Sequence, residues 1–257
     1  MCELFGISAA KQIPVNDLLR EFYSHCDQHP NGWGLATFSH GSVSIEKEPI
    51  KASRSVYLKE RLNHKIKASI LLAHIRLATI GNMEYDNSHP FVKRDDSGRC
   101  WVLIHNGTIF DYPALSPYQY QQEGETDSER ILLYLVDQIN QEQAAAGRDL
   151  EAEERFALLD ALFADLSRGN KLNLILYDGE LMYVHTNYAN SLHVCEGGGI
   201  ATFSTVPLKA GCWKPLPFTA LCAYRNGQRV FQGQPHGHEY IDNVRDLKYL
   251  YAVFSNL

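Results

Sequence analysis

The sequence predicts an α+β domain in which sheets are packed between layers of helix. Three features carry that reading. Apolar strand-like runs open the chain, two amphipathic helices occupy its middle, and strands return as hairpins. A length of 257 residues suits one large domain, expected over 2–257, with a well-buried core. The sequence shows no internal repeat, low-complexity stretch or Pro/Gly-rich linker.

The elements follow in order. Leu4 to Ser8 reads as a short buried strand. Pro14 opens a helix with Val15, Leu18, Leu19 and Phe22 on its apolar face. His29-Pro30-Asn31-Gly32 is a turn, followed by a strand from Trp33 to Phe38. His40-Gly41 then turns into a second strand. Ser53 to Asn63 reads as a short helix. Ala68 to Arg76 is a continuous apolar run ending in polar residues, as in a central strand covered on both faces. Cys100 to His105 repeats that pattern. Thr126-Asp127-Ser128-Glu129 has the form of a capping box. It introduces a helix with Leu132, Leu135, Val136 and Ile139 on one face. Gln141 to Arg148 reads as a polar connector. A second helix reaches about Leu166, with Phe156, Leu159, Phe163 and Leu166 inward and Gly169 as its stop. Leu172–Tyr177 and Leu181–His185 flank Asp178-Gly179, and Ala220–Tyr224 and Arg229–Gln232 flank Asn226-Gly227. Both are hairpin signals.

Composition narrows the function. The formal net charge is −6 and the pI is near 6.0. Clustered Lys and Arg, which nucleic acid or an anionic membrane requires, are absent. No apolar run approaches the roughly 18–20 residues of a membrane span. The N-terminus lacks a basic segment and a signal-length apolar stretch, so the expected location is cytoplasmic. The cysteines are Cys2, Cys26, Cys100, Cys195, Cys212 and Cys222. None forms a CxxC pair, and scattered cysteines suit a reducing compartment. His236-Gly237-His238 reads as a solvated loop rather than a metal pair.

Chemistry concentrates at a few places. Cys2 stands directly behind the initiator methionine. Its small side chain favours removal of Met1, which leaves a thiol and a free α-amine on one residue. Their reference pKa values are about 8.5 and about 7.7–8.0, so a nucleophile and a general base sit side by side. The plainer reading is a small apolar residue at a strand start. Arg76 ends an apolar strand and is either a surface cap or a carboxylate clamp. Asn87-Ser88-His89-Pro90-Phe91 is a turn with an extended residue before the proline. Asn106-Gly107 at a strand end is either a turn or an oxyanion hole. In the second case an Asn side-chain N–H and a Gly backbone N–H aim at one point. Asp127, taken alone, is a helix cap.

In this order, Cys2, HIRLAT from His74, NSHPF from Asn87, HNGT from His105 and GETDSE from Gly124 resemble a known pattern. It is the glutaminase domain of class II glutamine amidotransferases, members of the N-terminal-nucleophile hydrolases. The motifs span roughly the first half of the chain. The strand-rich second half fits more loosely. The resemblance implies a four-layer αββα sandwich of the N-terminal-nucleophile hydrolase type. The MCELFGIS opening, the NGWG turn and the lack of an appended synthase domain resemble the short stand-alone members. Those include γ-glutamyl hydrolases of thiol metabolism.

By resemblance, Cys2 is the nucleophile, and Asn106 and Gly107 form the oxyanion pair. Arg76 binds the substrate's α-carboxylate and Asp127 its α-ammonium. Thr79 is retained from the Arg76 motif, and Trp33-Gly34 matches a turn near the nucleophile in short members. Amino-sugar-forming members carry Trp after the Arg and His after the Thr, where this chain has Leu77 and Ile80. His74, His89 and His105 read as structural, because an N-terminal Cys carries its own base. The implied activity is hydrolysis of a γ-glutamyl amide, in glutamine or a γ-glutamyl peptide or amine, through a thioester on Cys2. A glutaminase subunit delivering ammonia to a separate synthase is the alternative. A non-catalytic binding module is the third reading. The implied partners are a small-molecule γ-glutamyl substrate and, for the alternative, a synthase subunit. No metal, organic cofactor, nucleic acid or membrane is implied. The oligomeric state stays open.

Overall fold

The computed structural model describes residues 2–39, 41–78, 81–246, 248 and 249. Strand β1 (Glu3–Pro14) leads into helix α1 (Asn16–Ser24) and the hairpin of β2 (Trp33–Ser39) and β3 (Ser42–Glu48). Helix α2 (Val56–Asn63) precedes β4 (Lys67–Ile75), β5 (Phe91–Arg94) and β6 (Cys100–Thr108). Helices α3 (Asp127–Ala146) and α4 (Ala152–Leu166) follow. The remainder contains β7 (Lys171–Tyr177), β8 (Met182–His185), β9 (His193–Gly197) and β10 (Ile200–Ser204). The short β11 (Lys214–Pro215), β12 (Cys222–Arg225) and β13 (Gln228–Gln232) complete it.

The strands form two antiparallel sheets, ordered β11-β9-β10-β1-β4-β2-β3 and β13-β12-β8-β7-β6-β5. Alternation along β1 explains the stacking. Phe5, Ile7 and Ala9 point to one side, where α1 and α2 supply Leu19, Phe22 and Leu58. Leu4 points to the other side, where the two sheets meet through Leu72, Val102, Ile104 and Ile175. The outer face of the second sheet packs Trp101, Leu103 and Leu174 against Leu132, Leu135, Leu159 and Phe163 of α3 and α4. Three apolar interfaces therefore separate four layers, giving an αββα sandwich. Each fully buried Leu or Phe contributes roughly 1.5–3 kcal/mol. Among the described residues, no helix is long and apolar enough to cross a membrane.

Several boundaries differ from expectation. Pro14 ends β1 instead of opening a helix, because it still pairs with Lys67 of β4; α1 starts at Asn16. The helix expected from Ser53 begins at Val56, where the Ser55 hydroxyl accepts from the Leu58 N–H at 2.9 Å. The Gln141–Arg148 connector is helical through Ala146, since Gln, Glu and Ala are good helix formers. Only half of the capping box forms. Thr126 accepts from the Glu129 N–H at 3.2 Å, while the Glu129 carboxylate turns back to the N–H groups of Glu123 and Gly124. The β9–β10 hairpin carried no clear strand signal. Its order comes from pairing with β1, from Phe5↔Ser204 to Ala9↔Ile200.

Candidate active site

Strand ends and a helix start converge at one edge of the sandwich. The first residue of β1 pairs with the last of β4, as Glu3↔Ile75, so Cys2 and Arg76 emerge side by side. His74 reaches across the sheets to the His105 carbonyl at 3.3 Å, bringing in the end of β6. His105 in turn meets the Ser128 hydroxyl at 2.9 Å, anchoring the start of α3.

The Cys2 thiol donates to the Leu77 carbonyl at 3.4 Å. Burial pushes the thiol's pKa up, the Leu77 contact and the Arg76 charge pull it down, and Asp127 pushes it up; the net shift is upward. At rest the group is a protonated thiol that requires a base to react.

The backbone of Arg76 is clamped by the HPNG turn. Its N–H donates to the Gly32 carbonyl at 2.9 Å and its carbonyl accepts from the Asn31 N–H at 3.0 Å. The Asn31 side chain then accepts from the Ala78 N–H at 3.0 Å. The guanidinium donates to the Gly81 and Asn82 carbonyls, each at 2.9 Å. That loop is itself held from two sides. Asn87 donates to the Asn82 carbonyl at 3.2 Å and accepts from the Glu125 N–H at 2.7 Å. Glu125 accepts from the Asn82 N–H at 3.1 Å. Burial lowers the pKa of Arg76, and the charges of Cys2, Asp127 and Glu125 push it back only in part.

Asn106-Gly107 is not a turn. Strand β6 continues through it, with Asn106↔Asn173, Gly107↔Leu172 and Thr108↔Lys171 across to β7. Alternation places Asn106 on the face of Val102 and Ile104, between the sheets. Its backbone carbonyl accepts from the Asn173 amide at 2.9 Å, but its own buried Nδ2 has no partner. An unsatisfied buried donor costs about 1–3 kcal/mol. Gly107 is dictated by close approach: a Cβ there would lie 1.9 Å from the Lys171 carbonyl oxygen and 2.4 Å from His105 Nε2. Asp127 is buried at the first position of α3 and accepts from the Ile109 N–H at 2.8 Å, tying the chain after Gly107 to the helix.

The remaining predicted residues fall elsewhere. Trp33 lies in the core under α1 and α2, donates to Glu48 at 2.9 Å and stacks on Tyr57. Gly34 lets β2 approach the cis His89–Pro90 peptide, because a Cβ there would lie 1.9 Å from the His89 carbonyl oxygen. Thr79 and Ile80 lie outside the described residues. His74, His89 and His105 are buried, and burial lowers all three pKa values, that of His74 to about 3. They are neutral spacers, with the His74 and His89 rings 4.1 Å apart. In the HGH segment, His236 meets the buried His185 at 3.0 Å between Nε2 atoms. No group of three or more metal-ligating side chains occurs among the described residues.

Asn31, Asn87 and Glu125 lie within the sequence motifs but carried no signal of a role at the site. Their task of fixing the Arg76 loop depends on contacts 38 to 47 residues apart in sequence.

Comparison with known proteins bears on this geometry. The family model described as "Glutamine amidotransferases class-II" matches residues 1–198. "Uncharacterized protein MJ1515" of Methanocaldococcus jannaschii is 36% identical, over 91% of this chain and 72% of its own length. "Putative glutamine amidotransferase YafJ" of Escherichia coli is 30% identical, over 75% of each chain. A solved structure described as a "predicted glutamine amidotransferase" from Pseudomonas aeruginosa superposes with a TM-score of 0.64 at 19% identity. The match covers 90% of this chain and 100% of that one, a likeness of fold. With the family model spanning most of the sequence, the chain belongs to the class II glutamine amidotransferases.

Proposed function

We propose that this protein, acting as one domain, hydrolyses a γ-glutamyl amide through a thioester on Cys2, with water as the acyl acceptor. The observation that carries this reading is the buried, unpartnered Nδ2 of Asn106 at the edge where Cys2, Arg76 and Asp127 converge. A donor left unpaired inside a protein is preorganised for charge that appears only during reaction.

The residues divide the work as follows. With Met1 removed, the α-amine of Cys2 takes the thiol proton through a water. The thiolate attacks the γ-carbonyl carbon. Asn106 Nδ2 and the Gly107 N–H stabilise the resulting oxyanion. The C–N bond then breaks, and the amine departs with a proton. Water attacks the thioester, glutamate leaves and the thiol is restored. Arg76 and Asp127 read the α-carboxylate and α-ammonium, so their contribution is positioning. By resemblance Thr79 goes with the Arg76 motif, and Trp33-Gly34, packed in the core, takes no part in this scheme. Leu77 and Ile80 stand where amino-sugar-forming relatives carry Trp and His, which weakens coupling to that acceptor.

The test is glutamate release by the purified chain from glutamine and a panel of γ-glutamyl peptides and amines, with intact mass recorded. Active protein should begin at Cys2, and Cys2→Ala should abolish release while keeping the fold. Retained Met1 in fully active protein would overturn the N-terminal amine as base. Turnover that arises only on addition of a synthase subunit would replace hydrolysis by ammonia delivery.

A further inference from the structure

The Asn106 carbonyl and the Gly107 N–H belong to one peptide, and planarity points them in opposite directions. The ladder decides which way this peptide faces. The Leu172 N–H donates to Asn187 Oδ1 and the Leu172 carbonyl accepts from His185 Nδ1, each at 2.8 Å. Both backbone groups of Leu172 are thus turned toward β8. Gly107 stands opposite Leu172, so its own N–H points away from β7. On that side β5 pairs with β6 only from Arg94↔Cys100 to Phe91↔Leu103, and Gly107 lies beyond its end.

The other end of the peptide is held from β7. The Asn106 carbonyl accepts from Asn173 Nδ2 at 2.9 Å. Asn173 is fully buried, and its amide has one orientation. A carbonyl can only accept, so Nδ2 faces Asn106, while Oδ1 accepts from the Thr186 hydroxyl at 2.7 Å. A hydrogen bond on a peptide carbonyl draws electron density to the oxygen and leaves the N–H across the plane more positive. It also restrains rotation of the peptide at a glycine, the residue whose backbone turns most freely.

We propose that Asn173 is a positioning residue for the reaction. Acting through the Asn106-Gly107 peptide, it aims and strengthens the Gly107 N–H. The inference rests on the proposed function, in which that N–H receives the oxyanion. Asn173 itself touches no substrate.

The experiment measures glutamate release from glutamine by the wild type, Asn173→Leu, Asn173→Ala and Thr186→Val, with folding checked by circular dichroism. Removing an oxyanion donor outright costs about 10²–10³ in rate, so weakening one through its peptide should cost about 10-fold in kcat, with KM unchanged, in both Asn173 variants. Thr186→Val disturbs the same network but leaves the Asn173 donor in place, and should lose at most a few-fold. Asn106→Ala keeps its backbone carbonyl, so adding Asn173→Leu to it should cost the same factor again. An unchanged kcat, a loss confined to KM, or an equal loss in Thr186→Val overturns the inference. A loss that vanishes in the Asn106→Ala background does so too, because Asn173 would then serve the Asn106 side chain. If the wild type releases no glutamate, hydrolysis fails, and NMR decides the peptide coupling separately. Isotope labelling of Asn carbonyl carbons and Gly nitrogens reports the Asn31-Gly32, Asn106-Gly107 and Asn226-Gly227 peptides alone. The signal lost in Asn106→Ala identifies the second. Its carbon and nitrogen should both move upfield in Asn173→Leu and stay near the wild type in Thr186→Val. Unmoved resonances, or equal movement in the two variants, overturn the coupling.

Discussion

Arg76 and Arg155 are almost equally buried, 3% and 2% exposed, yet the fold treats their charges in opposite ways. Arg155 of α4 donates to the Asp178 carboxylate at 2.8 Å, to Glu180 at 2.6 Å and to the Leu150 carbonyl at 2.6 Å. Burial pulls its pKa down, but Asp178, Tyr183 and Glu180 outweigh burial and raise it. Arg76 donates to backbone carbonyls, and burial leaves its pKa lowered. A carboxylate in direct contact both orients a guanidinium and offsets its charge, as at Arg155. Arg155 is thus a staple for the Asp178-Gly179 turn, while the field of Arg76 reaches Cys2.

Asn106 and Asn173 repeat the contrast as cross-strand neighbours. Asn173 donates to the Asn106 carbonyl at 2.9 Å and accepts from Thr186 at 2.7 Å and Ser191 at 3.1 Å. Asn106 keeps its Nδ2 unpaired. Asn173 has its partners within the fold, whereas Asn106 keeps a donor unused; on the proposed function that donor meets the substrate.

Substitutions can break this contrast. Arg155→Ala strands the buried Asp178 carboxylate and should lower the unfolding free energy by about 3–5 kcal/mol in urea melts. That is a large part of a typical 5–15 kcal/mol. A loss below about 1 kcal/mol would remove the staple. Asn106→Ala should cost about 10²–10³ in kcat for glutamate release, with little change in stability because no side-chain N–H bond is lost. If it destabilises the protein as much as Asn173→Ala does, Asn106 is structural too. Arg76→Ala should reduce kcat/KM by about 1.5–3 kcal/mol, the value of one charge-assisted contact. Its effect should disappear for an amide without an α-carboxylate. If that amide loses as much as glutamine, Arg76 is no clamp.

The effect that is smallest near neutral pH is a pH slope in stability. His74 and His185 are held down to about 3 by burial, against an ordinary value of 6.5. Below about 6.5 the unfolded imidazoles bind protons that the folded ones refuse. Their contribution is therefore complete above about pH 6.5 and is lost progressively as pH falls toward 3. Unfolding free energy measured across that window should decline with acid, and His74→Gln should flatten the decline. An unchanged slope in the variant would show that His74 is not a neutral spacer.

Much of the architecture was legible because it obeys local rules. The α3 face of Leu132, Leu135, Val136 and Ile139 is buried as its spacing required, and so is the α4 face from Phe156 to Leu166. The Asp178-Gly179 hairpin joins β7 and β8 as its turn residues required. The β9–β10 hairpin was not legible, because pairing with β1, almost two hundred residues away in sequence, gives it order. At Asn106-Gly107 the turn alternative fell for the same reason: a local signal lost to the β6–β7 ladder.

By itself the sequence determined the periodicities, the order of the motifs and the chemical types available at Cys2, Arg76, Asn106, Gly107 and Asp127. Those follow from short-range sterics and from the identities of the side chains. Only the tertiary structure decided their surroundings. It left the Asn106 Nδ2 unpaired, set the Gly81 and Asn82 carbonyls against the Arg76 guanidinium, and packed Gly107 against the Lys171 carbonyl. Those outcomes depend on burial and on partners brought in from distant parts of the chain, and both exist only once the two sheets have closed on each other.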